Sequence, residues 1–213
     1  MSAVVRKLTR SPTVNHLGGG SDAFVFKIDY TPKLTETLLP PKDDERLTVI
    51  FDLDETLIHT HSLLPEDSKH SRETCKVVVQ NKEYTTSIRP GAIQFLRQLS
   101  KTCEVVLFTA SKQVYADQII DYMEKDGKIF EHKLYQQSCK NKFGRVYKDA
   151  TKLGRDIKNV VIFDDCELVW TMTQDKLVVC KRYEGGQDDN EIDNMQKHLD
   201  KVINERLTTS CFF

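Results

Sequence analysis

Asp52 and Asp54 stand one residue apart, directly after the apolar, β-branched run Leu47-Thr48-Val49-Ile50-Phe51. Such a run reads as a buried strand, so the two carboxylates leave its C-terminal end together. In open α/β sheets that end faces the ligand crevice. Two carboxylates a few ångströms apart repel, which raises at least one pKa. A pair divided in this way supplies one ionised nucleophile or metal ligand and one protonated acid. Two further runs end in the same manner. Cys103-Glu104-Val105-Val106-Leu107-Phe108 delivers Thr109-Ala110-Ser111, and Asn159-Val160-Val161-Ile162-Phe163 delivers Asp164-Asp165. Between them, Arg145-Val146-Tyr147-Lys148-Asp149 offers a cation. Each group alone has a plain structural reading: a Thr after a strand caps a helix, and a lone Lys is a solvated charge. Their succession at strand ends argues for one site.

The elements that must hold these groups alternate strand and helix. Pro90 suits a first helical turn, and Ile93, Leu96 and Leu99 follow as a helical stripe. A second helix is expected over about residues 112–124, carrying Tyr115, Ile119, Ile120 and Met123. Its N-terminus at Thr109-Ala110-Ser111 would offer backbone amides to phosphate oxygens. Lys176-Leu177-Val178-Val179-Cys180 reads as a further strand, and a last helix runs from about Asp188 to Arg206 with acids in its first turn. This alternation implies an α/β fold, a mostly parallel sheet with helices on both faces. Cys75–Val79 and Glu83–Ser87 across Asn81-Lys82 imply a small antiparallel insertion within about residues 58–88. Residues 1–45 hold Gly18-Gly19-Gly20, Pro12, Pro32 and Pro40-Pro41 with few periodic apolar positions, and read as a loose N-terminal extension. The domain proper is expected over 46–206, with 207–213 as a tail.

Composition narrows the partners. The 213 residues carry a formal charge of −1 with 30% charged side chains, so no global basic field points to direct nucleic-acid binding. No apolar run reaches the ~18 residues of a membrane span. Arg6, Lys7 and Arg10 lack the apolar stretch of a signal peptide behind them. The six cysteines form no C-x-x-C pair; Cys103, Cys139 and Cys180 read as buried thiols, which predicts a reduced intracellular location, nucleus or cytoplasm. His59 and His61 read as solvated surface. A monomer is expected.

The order of the motifs resembles the haloacid dehalogenase superfamily of aspartate-nucleophile phosphatases. Asp52-Leu53-Asp54-Glu55-Thr56-Leu57 is similar to the branch containing the small phosphatases that act on the RNA polymerase II C-terminal domain. Ile88-Arg89-Pro90-Gly91, Leu107–Ser111, Val146–Asp149 and Leu153–Asp156 extend the likeness. That resemblance implies a haloacid-dehalogenase-like Rossmannoid sheet with a small β insertion after the first motif and no large cap. It implies an Mg²⁺-dependent phosphoserine/phosphothreonine protein phosphatase working through a phospho-aspartyl intermediate. Asp52 would be the nucleophile and Asp54 the acid and base, while Thr109 and Lys148 would hold the phosphoryl oxygens. Thr56, Ser111, Tyr115 and Arg89 would face the substrate. Mg²⁺ would be held by Asp52, Asp54 (through its backbone carbonyl), Asp164 and Asp165. An open site suits a phosphorylated protein or peptide, with the polymerase tail as the candidate. Val77-Val78-Val79 and Tyr115 would grip a neighbouring side chain. Two departures stand out: Asp165-Cys166-Glu167 replaces an expected Asn-Ser-Pro, and Gln136 falls where relatives carry an Arg. Two other classes remain: a binding or receptor module of the same fold, expected to lack one of the aspartates, and a small-metabolite phosphatase, expected to enclose its substrate.

Overall fold

A computed structural model of the chain describes residues 37–61 and 72–210. Thr48–Phe51 (β1), Glu104–Phe108 (β5), His132–Leu134 (β6), Val160–Asp164 (β9) and Leu177–Val179 (β10) form one five-stranded sheet in the order β10-β9-β1-β5-β6. Every pairing in it is parallel. β1 is the central strand, and its neighbours match it residue for residue: Phe51 pairs with Leu107 on one side and Phe163 on the other. All residues of β1, β5 and β9 are buried, as strands of a parallel sheet covered on both faces must be. The three strand ends therefore finish level, and the polar residues after them emerge side by side.

Alternation within each strand divides the core into two layers. Val49, Phe51, Val105, Leu107, Val161 and Phe163 face Ala92–Leu99 (α1), Gln113–Met123 (α2) and Glu191–Ser210 (α3). The rings of Phe51 and Phe163 stack at 5.2 Å. Ile50, Val106, Phe108 and Ile162 face the opposite layer, which holds Leu39, Ala150, Leu153 and Trp170. Helices flank both faces, as expected, but they differ in kind. All three α-helices lie on the first face, and the second carries single 3₁₀ turns such as Ala150–Lys152 and Glu167–Val169. The chain from residue 135 to 159 lacks a 3.6-residue apolar stripe, so it has no face with which to form a longer helix.

The insertion is a three-stranded antiparallel sheet in the order β2-β4-β3, built from Ile58–His61 (β2), Thr74–Val79 (β3) and Lys82–Ile88 (β4). Its hairpin turns on Gln80 and Asn81, with φ of 50° and 61°, one residue earlier than the sequence suggests. Positive φ at both central residues gives the turn that matches strand twist. Residues 62–71 of the insertion, and residues 1–36 and 211–213, lie outside the described residues. Within the extension, residues 37–45 belong to the body rather than to a loose arm. Leu39 is buried, Leu38 N–H donates to Lys152 O at 2.7 Å, and Arg155 Nη1 donates to Pro40 O at 2.8 Å.

His59 and His61 are half-buried rather than solvated: His59 Nδ1 lies 2.7 Å from Glu55 Oε2, and His61 Nε2 lies 2.8 Å from Ser87 Oγ. Gly185, at φ 88°, lets the backbone approach them; a Cβ there would sit 2.5 Å from the His61 ring. The five described cysteines are free thiols; Cys75, Cys103 and Cys180 are buried, and Cys139 only half-buried.

At the N-terminal end of the sheet, away from the acidic strand ends, Glu104 accepts from Thr48 Oγ1 at 2.5 Å and from Arg155 Nη2 at 2.6 Å. Burial pushes its carboxyl up, but bonds from Arg155 and Thr48 outweigh that and hold it near about 2. Because its folded value lies below the ordinary 4.5, its stabilisation is present above that value and is lost as pH falls through about 2. Glu104→Gln should flatten the fall in unfolding free energy over this acid range, measured by urea denaturation at stepped pH. An unchanged slope would show that another acid carries it.

Candidate active site

Asp52 is the first residue beyond β1 and stands level with Asp164, the last residue of β9, because the parallel register continues through Phe51 and Phe163. Between them Lys148, just after Arg145–Tyr147 (β8), places its ammonium 2.6 Å from Asp52 Oδ1 and 2.7 Å from Asp164 Oδ2. All three are buried. Burial pulls the Lys148 pKa down, but the two carboxylates outweigh it, so the ammonium stays charged. Burial pushes the Asp52 carboxyl up, to about 7; Lys148 opposes that rise and Asp164 adds to it. Asp165 is pushed up as well, first by burial and then by Asp164.

Asp52, Asp164 and Asp165 bring carboxylate oxygens within 4.8 Å of one another. Three carboxyl groups thus share one buried ammonium. An all-oxygen set with surplus negative charge is what a hard divalent cation takes, so these residues fit a metal. The other acidic group among the described residues, Glu104, Glu131 and His132, does not. Glu104 is already bonded to Arg155 and Thr48. Asp165, the acid in place of the expected Asn, is offset by Arg182, whose Nη1 lies 3.3 Å from its Oδ2.

The Asp54 side chain lies outside this cluster. Ser111 Oγ donates to its Oδ2 at 2.6 Å and Tyr115 OH donates to its Oδ1 at 2.7 Å. Thr60 Oγ1 lies 2.6 Å from the same phenol. Ser111 and Tyr115, expected to face the substrate, therefore position Asp54 instead. Thr109 is buried, and its hydroxyl accepts from Ser111 N–H at 3.0 Å. That amide, expected to be open to phosphate, is thereby occupied. Thr56 is buried too and accepts from Asp165 N–H at 3.0 Å; it holds the acidic loop in place.

Arg89 corrects the sequence reading most sharply. It is 0% exposed. Its guanidinium donates to Asp189 through Nε at 2.8 Å, to Thr56 O at 2.6 Å and to Lys181 O at 2.6 Å. With its donors spent on the wall behind the site, it cannot read substrate. The valine run is corrected as well. Strand alternation buries Val77 and exposes Val78 at 50%, and both backbone groups of Val78 are bonded by Gln118 of α2. Gln136 is exposed in a 3₁₀ turn, and its N–H donates to Ser111 O at 3.0 Å.

Trp170 has no counterpart in the sequence reading. Its Nε1–H donates to Asp164 Oδ2 at 2.7 Å, and Lys148 Nζ lies 5.5 Å from its ring. It dries the pocket and orients the acid at once. The signal was available: it is the chain's single Trp, four residues beyond Cys166 in a polar segment.

Tyr115→Phe should release one oxygen of Asp54 and lower kcat about tenfold on peptide and aryl phosphates alike, with KM little changed. A loss confined to peptides would return Tyr115 to the substrate-reading role.

The chain resembles known proteins in sequence and in fold. The sequence model of the "NLI interacting factor-like phosphatase" family matches residues 47–208. A Dictyostelium discoideum protein named CTD small phosphatase-like protein 2 is 33% identical over 170 residues, 78% of this chain and 29% of that protein. Human carboxy-terminal domain RNA polymerase II polypeptide A small phosphatase 1 is 31% identical over 188 residues, 86% of this chain and 71% of that protein. Among solved structures, that of Fcp1, an essential RNA polymerase II CTD phosphatase, superposes with a TM-score of 0.56 at 24% identity. It covers 73% of this chain and 49% of that one, and shares its fold. With the family model spanning the strand ends that carry Asp52, Asp54, Thr109, Lys148 and Asp164, the chain belongs to the NLI interacting factor-like phosphatase family.

Proposed function

We propose that this protein is an Mg²⁺-dependent phosphoserine/phosphothreonine protein phosphatase that works through a phospho-aspartyl intermediate. The observation that carries the reading is the buried Asp52–Lys148–Asp164 bridge, with Asp54 held separately beside it by Ser111 and Tyr115. A receptor of the same fold has no need to keep both aspartates and a buried ammonium together.

In this mechanism a carboxylate oxygen of Asp52 forms a bond to phosphorus while the bond from phosphorus to the serine or threonine oxygen breaks. Asp54 gives its proton to that leaving oxygen. A water then attacks the phosphorus of the acyl phosphate and gives its proton to Asp54, which frees phosphate and restores Asp52. Lys148 and the Thr109 hydroxyl neutralise the charge on the transferring phosphoryl oxygens. Asp52, Asp164 and Asp165 would hold Mg²⁺ by their carboxylates, with Asp54 contributing its backbone carbonyl. When bound, the ion supplies the positive charge that this acidic set lacks.

Substrate class follows from access. Among the described residues only the small β2-β4-β3 sheet stands in the position of a cap, which suits a phosphate carried on a protein or peptide. Relatives are named for the RNA polymerase II C-terminal domain, and that tail is the candidate substrate. No helix among the described residues is long and apolar enough to cross a membrane. We place the activity in the nucleus or cytoplasm, in a monomer.

The deciding experiment is turnover of a phosphopeptide library by the full chain, with and without divalent metal. Phosphoserine and phosphothreonine peptides should exceed phosphotyrosine peptides and sugar phosphates. Chelation should remove activity reversibly, and Mg²⁺ should restore it better than Ca²⁺, whose larger, looser coordination misaligns the in-line displacement. Preference for sugar phosphates would move the protein to the small-metabolite class. Full activity in excess chelator would remove the metal from the mechanism.

A further inference from the structure

Lys140–Lys142 (β7) and β8 form a two-stranded hairpin that belongs to neither main sheet. Both of its ends are tied to the active site. Cys139, just before it, bonds Thr109 O through Sγ at 3.6 Å, and Lys148, just after it, bonds Asp52 and Asp164. The tip turns on Phe143 and Gly144, with φ of 53° and 74°.

Three features of this hairpin oppose its own stability. Phe143 at the tip is 93% exposed, the most exposed large apolar side chain among the described residues. Lys142 and Arg145 pair directly across the two strands, and like charges placed opposite one another destabilise a hairpin. The segment from 139 to 148 contains Lys140, Lys142, Arg145 and Lys148 and no acid, in a chain whose formal charge as a whole is −1. Lys140 is neutralised by Asp149 at 2.5 Å. Among the described residues no carboxylate comes within ion-pair distance of Lys142 or Arg145. Lys142 lies only over the Phe143 ring, at 5.6 Å, and two cations without a carboxylate partner among the described residues are the complement of one dianion.

Geometry sets where that dianion lies. Arg145 is three residues before Lys148 along an extended strand, so their Cα atoms are separated by no more than about 10 Å, at ~3.4 Å per residue. An extended peptide covers the same distance in about three residues. A phosphate dianion matches two cations, whereas one carboxylate matches only one.

Building on the phosphatase reading, we propose that the β7–β8 hairpin is a docking ribbon for a second phosphoserine or phosphothreonine on the same substrate. It would lie about three residues from the one being hydrolysed, held by Lys142 and Arg145, with Phe143 against an adjoining apolar side chain. The protein would then act preferentially on multiply phosphorylated segments.

The test compares the wild-type chain with Lys142→Gln/Arg145→Gln on four substrates. These are an aryl phosphate, a singly phosphorylated peptide, the same peptide with a second phosphoserine three residues away, and that peptide with Glu at the second position. Each three-residue spacing is made on both sides of the reacting residue. In the wild type the second phosphate, on one side, should lower KM about tenfold with kcat little changed, and the gain should shrink with added salt. Glu should recover only a small part of it. In the double variant the gain should vanish while aryl phosphate and singly phosphorylated peptide turn over as before. Equal KM for singly and doubly phosphorylated peptides in the wild type overturns the proposal, as does a gain that survives in the variant. Stronger binding of RNA or anionic vesicles than of the doubly phosphorylated peptide, abolished in the variant, would also overturn it by giving the ribbon a different polyanion. Failure on the aryl phosphate and single phosphopeptide in the wild type would instead count against the phosphatase reading itself. A separate Phe143→Ser variant, which leaves the charges intact, should raise KM for every peptide and leave the aryl phosphate unchanged.

Discussion

Asp52→Asn should abolish turnover while leaving the protein folded and as stable as the wild type or more so. An amide cannot form the acyl phosphate, and loss of a nucleophile elsewhere costs on the order of 10⁶ in kcat. Stability should hold because Asp52 is buried close to Asp164 and Asp165, and burial already works against its charge. The amide has the same shape and removes the repulsion, while Lys148 keeps Asp164 as its partner. Active sites commonly hold groups that the fold alone would rather lose. Steady-state turnover beside a thermal melt checks both halves. Beryllofluoride, which mimics an aspartyl phosphate, should protect the wild type against unfolding and leave the variant untouched. Turnover within tenfold of wild type would end the phospho-aspartyl mechanism. A variant that is merely unfolded would show itself in the melt.

Lys148→Met carries the second large effect, and it reverses that pattern. Among the described residues Lys148 is the only buried cation between Asp52 and Asp164, bonded to both within 2.7 Å. Methionine retains the stem and removes the charge. Two buried carboxylates are then left facing each other, and breaking a buried pair in this way costs about 3–5 kcal/mol. Activity should fall by about 10²–10³, the usual cost of losing one preorganised electrostatic contact to the transferring group. The double variant Lys148→Met/Asp164→Asn should recover much of the stability and none of the activity, because one of the two unpaired charges has gone. Stability equal to wild type in the single variant would show that water or a cation already screens the pair.

Much of the site was legible because its residues are encoded locally. A β-branched run followed at once by an acid or a hydroxyl specifies a strand and what it delivers, and neither needs information from elsewhere in the chain. That logic located Asp52, Thr109 and Asp164 at the ends of β1, β5 and β9. It failed at Arg89, which the family resemblance assigns to the substrate. Its actual partner, Asp189, lies 100 residues away, and local sequence holds no trace of such a pairing. It failed in the same way for Ser111 and Tyr115. The sequence places Ser111 just before α2 and Tyr115 in its first turn, but does not say that Asp54, 57 and 61 residues distant, would meet their hydroxyls. The valine run was misjudged for a different reason. Three consecutive apolar residues read as one surface, yet a strand sends alternate side chains to opposite faces.

By itself, then, the sequence determined which chemical groups this protein possesses, the strands that carry them and the order in which they arrive. Those follow from hydrophobic run length and from residue types at strand ends, which act over a few residues. Only the tertiary structure decided which groups touch. The parallel register of β1 with β9 brings Asp52 level with Asp164, and the packing of the 3₁₀ face sets Trp170 against that acid. The β7–β8 hairpin then delivers Lys148 between the two carboxylates. Such contacts depend on the cooperative closure of long loops around one core, so they exist only once the whole sheet has formed.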